Sequence, residues 1–181
     1  MAVNQFNLNP GQRAERKLLV TVAEWTEGGT GTTGGTLQRE ILGTRTEDSS
    51  IEFNPDIETS TDIRGNNFTD MNKTQPQQSF DPYLILGGSK LGAKLHDIML
   101  RNAVSELNQF TMYIIMLYIG DSTSGYSAQK HEDCTITYDS LGGDTKVNFP
   151  ITVYFSNKTT NGTVDKLAED FTFTPDVTVG G

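Results

Sequence analysis

Residues 58–118 read ETSTDIRGNNFTDMNKTQPQQSFDPYLILGGSKLGAKLHDIMLRNAVSELNQFTMYIIMLY. A polar stretch, a turn, an amphipathic stretch and a doubly apolar stretch follow one another, and the last two decide the fold class. In residues 110–119, FTMYIIMLYI, an extended backbone points Met112, Ile114, Met116 and Tyr118 one way and Tyr113, Ile115, Leu117 and Ile119 the other. Such a strand needs cover on both faces. Within residues 89–105, Leu91, Leu95, Ile98 and Met99 fall at i, i+4, i+7 and i+8, which predicts a helix with one apolar stripe. Ser89 stands where an N-cap belongs, and Lys90, Lys94, Asp97 and Arg101 lie off the stripe. So short a helix packs on a sheet, because it is marginal alone. With one good helix, the crossovers of a parallel sheet are missing. The expectation is a single, mainly β domain: an antiparallel β-sandwich or barrel of roughly seven to nine strands with one flanking α-helix.

Ahead of the helix, residues 47–80 read as a long β-hairpin arm. Ile57, Thr59, Thr61 and Ile63 alternate with Glu58, Ser60 and Asp62, and Arg64-Gly65-Asn66-Asn67 is a turn signal. Asn54-Pro55-Asp56 interrupts the pattern before it, since proline cannot donate to a ladder. The return stretch, 69–80, is almost without apolar side chains. A two-stranded arm of this composition is marginal by itself, so something outside it must order it. Threonine, 24 of 181 residues, favours exposed β-structure over coil there.

Farther out, strands are expected at 17–25, 37–45, 50–53 and 129–138, the last with Cys134, Ile136 and Tyr138 on one face. In 147–155 the residues Val147, Phe149, Ile151, Val153 and Phe155 point inward, with Pro150 marking an edge or a bulge. A turn at 158–162 and a last strand about Phe171 and Phe173 follow. Residues 1–15 form a polar arm, and 26–36 a flexible Gly/Thr loop. Gly29, Gly31 and Gly34 match the spacing of a dinucleotide fingerprint, but no helix opens directly after them.

The net charge of −9 argues against ordinary DNA binding, which clusters Lys and Arg on phosphates. An acidic surface instead repels DNA. The single cysteine, Cys134, excludes a disulfide within the chain and fits a reducing cytoplasm. No signal-peptide core is visible at the start, and the longest apolar run falls far short of the roughly 20 residues that span a bilayer. No catalytic, cofactor or metal site is expected. His131, Glu132, Asp133 and Cys134 are four possible ligands in a row, but successive strand residues face opposite ways. His96 and Asp97 are adjacent on a helix and do not face each other, so His96 is expected to face solvent. The Asn-X-Thr triplets at Asn67, Asn72, Asn157 and Asn161 carry no weight in a chain so rich in both residues.

Residues 59–92, TSTDIRGNNFTDMNKTQPQQSFDPYLILGGSKLG, with the helix and apolar strand that follow, resemble the middle of the tailed-bacteriophage major tail protein, or tail tube protein, family. The non-contractile siphophage type is the better match. The resemblance implies a structural virion protein, not an enzyme, that forms homohexameric rings stacked in helical assembly into a tube for genome ejection. Its implied partners are copies of itself, a tape-measure protein, a tail terminator and distal tail proteins. DNA would pass through without specific binding, no membrane or cofactor would be involved, and assembly in the host cytoplasm would precede residence in the virion tail. Inter-subunit contacts are expected at Thr59, Thr61, Asp62, Ile63, Arg64, Phe68, Gln77, Phe80, Ile115 and Leu117. The alternatives are a tube subunit of a contractile, bacteriocin-type or type VI system, or a β-sandwich binding module such as an adhesin or capsid decoration protein.

Overall fold

The computed structural model of the chain describes residues 6–28, 35–46 and 49–176, the side chains at 72 and 73 excepted. The chain is mainly β, its sheets are antiparallel, and one α-helix flanks them. The fingerprint-like glycines, the start of the N-terminal arm and the chain's last residues lie outside the described residues.

Strands β1 (Leu19–Glu27), β2 (Thr36–Ile41), β7 (Phe110–Asp121) and β8 (Gly125–Tyr138) lie side by side in the order β2-β1-β7-β8. The path continues through β9 (Ile151–Tyr154) and β6 (Gln77–Phe80) to the two-residue β3 (Ile51–Glu52). Both halves share β8, which is bent where the register slips between Phe110/Cys134 and Met112/His131 and Asp133 takes a left-handed φ of 56°. Such a bulge bends a strand and lets it serve two sheets. Before the bend β8 pairs with β10 (Thr159–Val164), and after it with β9.

The principal core lies between these halves. Phe110, Met112 and Ile114 of β7 meet Cys134 and Ile136 of β8, Ile151 and Val153 of β9, Phe80 of β6 and the helix stripe. Helix α1 (Lys90–Arg101) buries Leu91, Leu95 and Ile98, with Met99 at the margin. It ends four residues earlier than expected, because Asn102 takes a left-handed C-cap (φ 55°) whose amide bonds Ile98 and Met99 carbonyls. A 3₁₀ turn, Val104–Asn108, continues the chain.

The other face of β7 is covered by the chain itself. Tyr113 and Ile115 pack with Val22, Ala128, Val164 and Phe171, and Phe173 closes the margin. Phe171 precedes β11 (Phe173–Pro175), which pairs with β10 at Gly162↔Pro175. The expected turn at 158–162 is therefore the start of β10, and Gly162 is needed because a Cβ there would strike the Thr174 carbonyl and the Phe173 ring.

Two other expectations change. Val147 is exposed, and the strand begins only after Pro150; β9 is flanked by β8 and β6, so the proline sits at the entry to an interior strand. The arm is shorter than 47–80. The hairpin comprises β4 (Pro55–Thr61) and β5 (Asn67–Thr74), whereas β3 and β6 belong to the body. Pro55 opens β4 rather than interrupting a strand, and a register shift between Pro55 and Ile57 absorbs the extra residue.

Candidate functional site

The hairpin forms a separate two-stranded sheet, and among the described residues its strands pair with each other alone. Its root is fixed by the Gln75 amide donating to the Phe53 carbonyl (3.0 Å), Asn54 Nδ2 donating to the Gln75 carbonyl (3.2 Å) and Gln77 Nε2 donating to Glu52 Oε2 (3.0 Å). Its tip is fixed by Asp62, whose Oδ1 accepts the Arg64 and Asn66 amides at 2.8 Å each. These bonds, the Asn66 amide foremost, lower the Asp62 pKa. Gly65 supplies the left-handed step (φ 82°) in this turn.

The register sets Ile57 opposite Met71, Thr59 opposite Thr69, and Thr61 opposite Asn67 on one face. Across that face, Thr61 Oγ1 donates to Asn67 Oδ1 at 2.8 Å. The other face sets Glu58 opposite Asp70 and Ser60 opposite Phe68. Apolar side chains are uncovered on both: Ile57 is 58 % and Met71 65 % exposed, Phe68 is 47 % exposed, and Ile63 at the tip is bare.

Of the expected contact residues, the hairpin therefore gathers Thr59, Thr61, Asp62, Ile63, Arg64 and Phe68. Ile63 has left the strand face and sits in the turn. The other four lie in the body. Gln77 is half-buried and tied to Glu52. Phe80 is 1 % exposed and Ile115 fully buried in the chain's own cores, so neither offers surface to a second molecule, a correction to the sequence expectation. Leu117 is half-buried, and its carbonyl accepts Asn7 Nδ2 at 3.0 Å.

Elsewhere the chemistry-bearing side chains are dispersed. Burial holds the His131 pKa below the ordinary value, with Nδ1 2.9 Å from the Ser156 carbonyl and Nε2 3.0 Å from Gln129 Oε1. Glu132 pairs with Lys130 and Lys158, Asp133 with Lys158. Cys134 is buried, which pushes its thiol pKa up, and its Sγ donates to the His131 carbonyl. His96 is half-buried rather than solvent-facing, its ring 5.2 Å from that of Phe149. A cleft of about 480 Å³ is lined by Trp25, Phe110, Gln109 and the Lys94–Glu106 ion pair, which closes at 2.6 Å.

Sequence reasoning missed three fixtures of the body. Glu40 accepts from Ser89 Oγ, Tyr83 Oη and the Leu91 amide. Arg39 pairs with Glu24 at 2.6 Å and stacks 4.1 Å over the Phe171 ring. Asn7 reaches the carbonyls of Leu117, Tyr118 and Gly120. Each joins segments far apart in the chain, so local pattern carries no trace of it.

Scanned against protein-family models and compared with curated proteins, the chain matches none of them.

Proposed function

We propose that this chain is a structural, non-enzymatic subunit that assembles with copies of itself into stacked hexameric rings, forming the tail tube of a long-tailed phage. The observation that carries this reading is the hairpin of residues 55–74: a two-stranded sheet standing off the body with Ile57, Met71, Phe68 and Ile63 uncovered. Isolated hairpins are marginal in water, and uncovered apolar side chains on one invite a partner surface. A contact of this kind, between a projecting arm on one copy and a body on the next, is head-to-tail and propagates into rings or filaments. The resemblance of residues 59–92 to tail tube proteins supplies the particular assembly. It also supplies the partners, namely a tape-measure protein, a tail terminator and distal tail proteins, and the setting, a virion tail built in the host cytoplasm. The acidic balance of the chain, net −9, supports a lumen through which DNA slides without being gripped.

Electron microscopy and sedimentation of the purified chain test this. Hollow tubes or rings are expected. Uniform monomers at all concentrations, binding a glycan or a capsid surface instead, would replace it with a binding or decoration module.

A further inference from the structure

One face of the hairpin carries an arrangement that no isolated hairpin favours. Glu58 and Asp70 are a directly opposed pair in the β4–β5 register, so their side chains leave the same face side by side. Like charges so placed repel. Both are exposed, and among the described residues neither carboxylate meets a cation or a hydrogen-bond donor. Phe68, on the same face, is uncovered beside them.

The complementary group is on the body. Among the described residues, four basic side chains, those of Arg13, Arg45, Arg64 and Lys146, make neither an ion pair nor a hydrogen bond. Arg64 belongs to the hairpin's own turn, Arg13 lies in an irregular exposed segment, and Lys146 carries a point charge with no fork. Arg45 differs from all three. It holds a left-handed φ of 63°, a conformation that disfavours non-glycine residues by roughly 1 kcal/mol. Its loop is nonetheless fixed, by the Thr46 amide donating to the Gly43 carbonyl (3.1 Å) and by Thr46 Oγ1 donating to the Pro82 carbonyl (2.9 Å). The result is an exposed guanidinium on a pinned turn, with no partner among the described residues.

We propose that the Glu58/Asp70 face of one copy receives Arg45 of a second copy, the guanidinium bridging the two carboxylates. Two carboxylates on opposed strand positions, with Cα atoms roughly 5 Å apart, suit a planar fork of donors. The contact relieves the repulsion within the hairpin and orders it with a single side chain. It also gives the contact a direction, hairpin of one copy to Gly43–Thr46 turn of the next. This rests on the assembly reading above and names the partner surface that the reading leaves open.

The test uses the full chain and measures the protein concentration at which assemblies appear by light scattering and electron microscopy. Glu58→Gln with Asp70→Gln should raise that concentration about tenfold or more, and Arg45→Gln likewise. Combining all three should add little, because one contact is lost once. The charge-exchanged chain, Glu58→Lys, Asp70→Lys and Arg45→Glu together, should assemble better than either half alone. All variants should unfold in urea as the parent does, since these side chains lie on the surface. If the neutralised hairpin assembles at the same or a lower concentration than the parent, relief of repulsion is the whole effect and the arginine contact is overturned while the tube reading stands. A parent chain that never assembles overturns both.

Discussion

The carboxylate of Glu40, on the edge strand β2, accepts the Leu91 amide of helix α1 at 2.9 Å and, through its other oxygen, the Ser89 hydroxyl at 2.8 Å. One side chain thus satisfies donors that the first helical turn leaves unpaired, and it places negative charge at the helix N-terminus. Ser89 Oγ accepts the Gly92 amide at 3.0 Å, so cap and strand form one network that Tyr83 joins by donating to Glu40 Oε1. Burial and the adjacent carboxylate push the Tyr83 hydroxyl pKa up, so it remains a donor. Replacing Glu40 with Ala should destabilise the chain by roughly 2 kcal/mol, with Gln milder because it keeps one acceptor oxygen. Urea denaturation of the two variants checks the ranking.

Arg39 should hold the C-terminal segment down. It pairs with Glu24, donates to the Phe171 carbonyl at 2.6 Å and stacks on the Phe171 ring. Tyr113 donates to the same Glu24, and burial pushes its pKa up to about 12. Arg39→Ala leaves a largely buried carboxylate uncompensated, a loss of roughly 3–5 kcal/mol. Hydrogen exchange should quicken first in residues 165–176. Unchanged protection there would show that packing alone retains the segment.

Acid should weaken the fold in two separable steps. His131 is neutral in the folded chain because burial lowers its pKa from 6.5, whereas the unfolded chain protonates at the ordinary value. Its contribution is therefore complete above about pH 6.5 and lost as pH falls from there toward the depressed folded value. Glu106, held at about 2 by Arg101 and Lys94, contributes above its unfolded value of 4.5 and is lost below it. Stability measured in urea between pH 8 and pH 5 should fall in the parent and stay flatter in His131→Gln. Equal slopes would remove His131 from the account.

Excising the hairpin should spare the body, provided the cut respects the sheet. A chain in which residues 56–73 are replaced by a short Gly-Ser turn should fold, since Phe53 and Gln75 already meet through a backbone bond at 3.0 Å. It should not assemble. A deletion extended through Phe80 removes β6 and with it the buried Gln78 and Phe80, and should fail to fold. Circular dichroism and sedimentation separate the outcomes, and tubes formed by the shorter deletion would show that the hairpin is not the connector.

Much of the architecture was legible along the chain. The 3.6-residue spacing of Leu91, Leu95 and Ile98 marked the helix, Ser89 marked its start, and the alternation of Phe149, Ile151, Val153 and Phe155 marked an inward face. These signals are local, because they follow from the periods of the two backbones. The turn at Lys158 was misread because Asn and Gly commonly mark turns. Here Gly162 is small for a different reason, the close passage of β11. The hairpin was legible as a hairpin, but not its extent, because nothing local says that Gln77 to Phe80 pairs with β9.

By itself the amino-acid order determined a mainly β chain with one helix, a doubly apolar central strand and a polar arm, since burial period and backbone preference act over a few neighbours. Tertiary structure alone decided what covers that strand: Val164 and Phe171, some fifty residues further on, close the second face, for which the apolar pattern demanded cover without naming it. It also decided the pairing in the arm. A turn centred on Gly65 and Asn66 would set Glu58 against Lys73, whereas the Asp62-capped loop shifts the ladder and sets Glu58 against Asp70. Strand register alternates faces every residue, so the placement of a turn by its hydrogen bonds decides which charges meet.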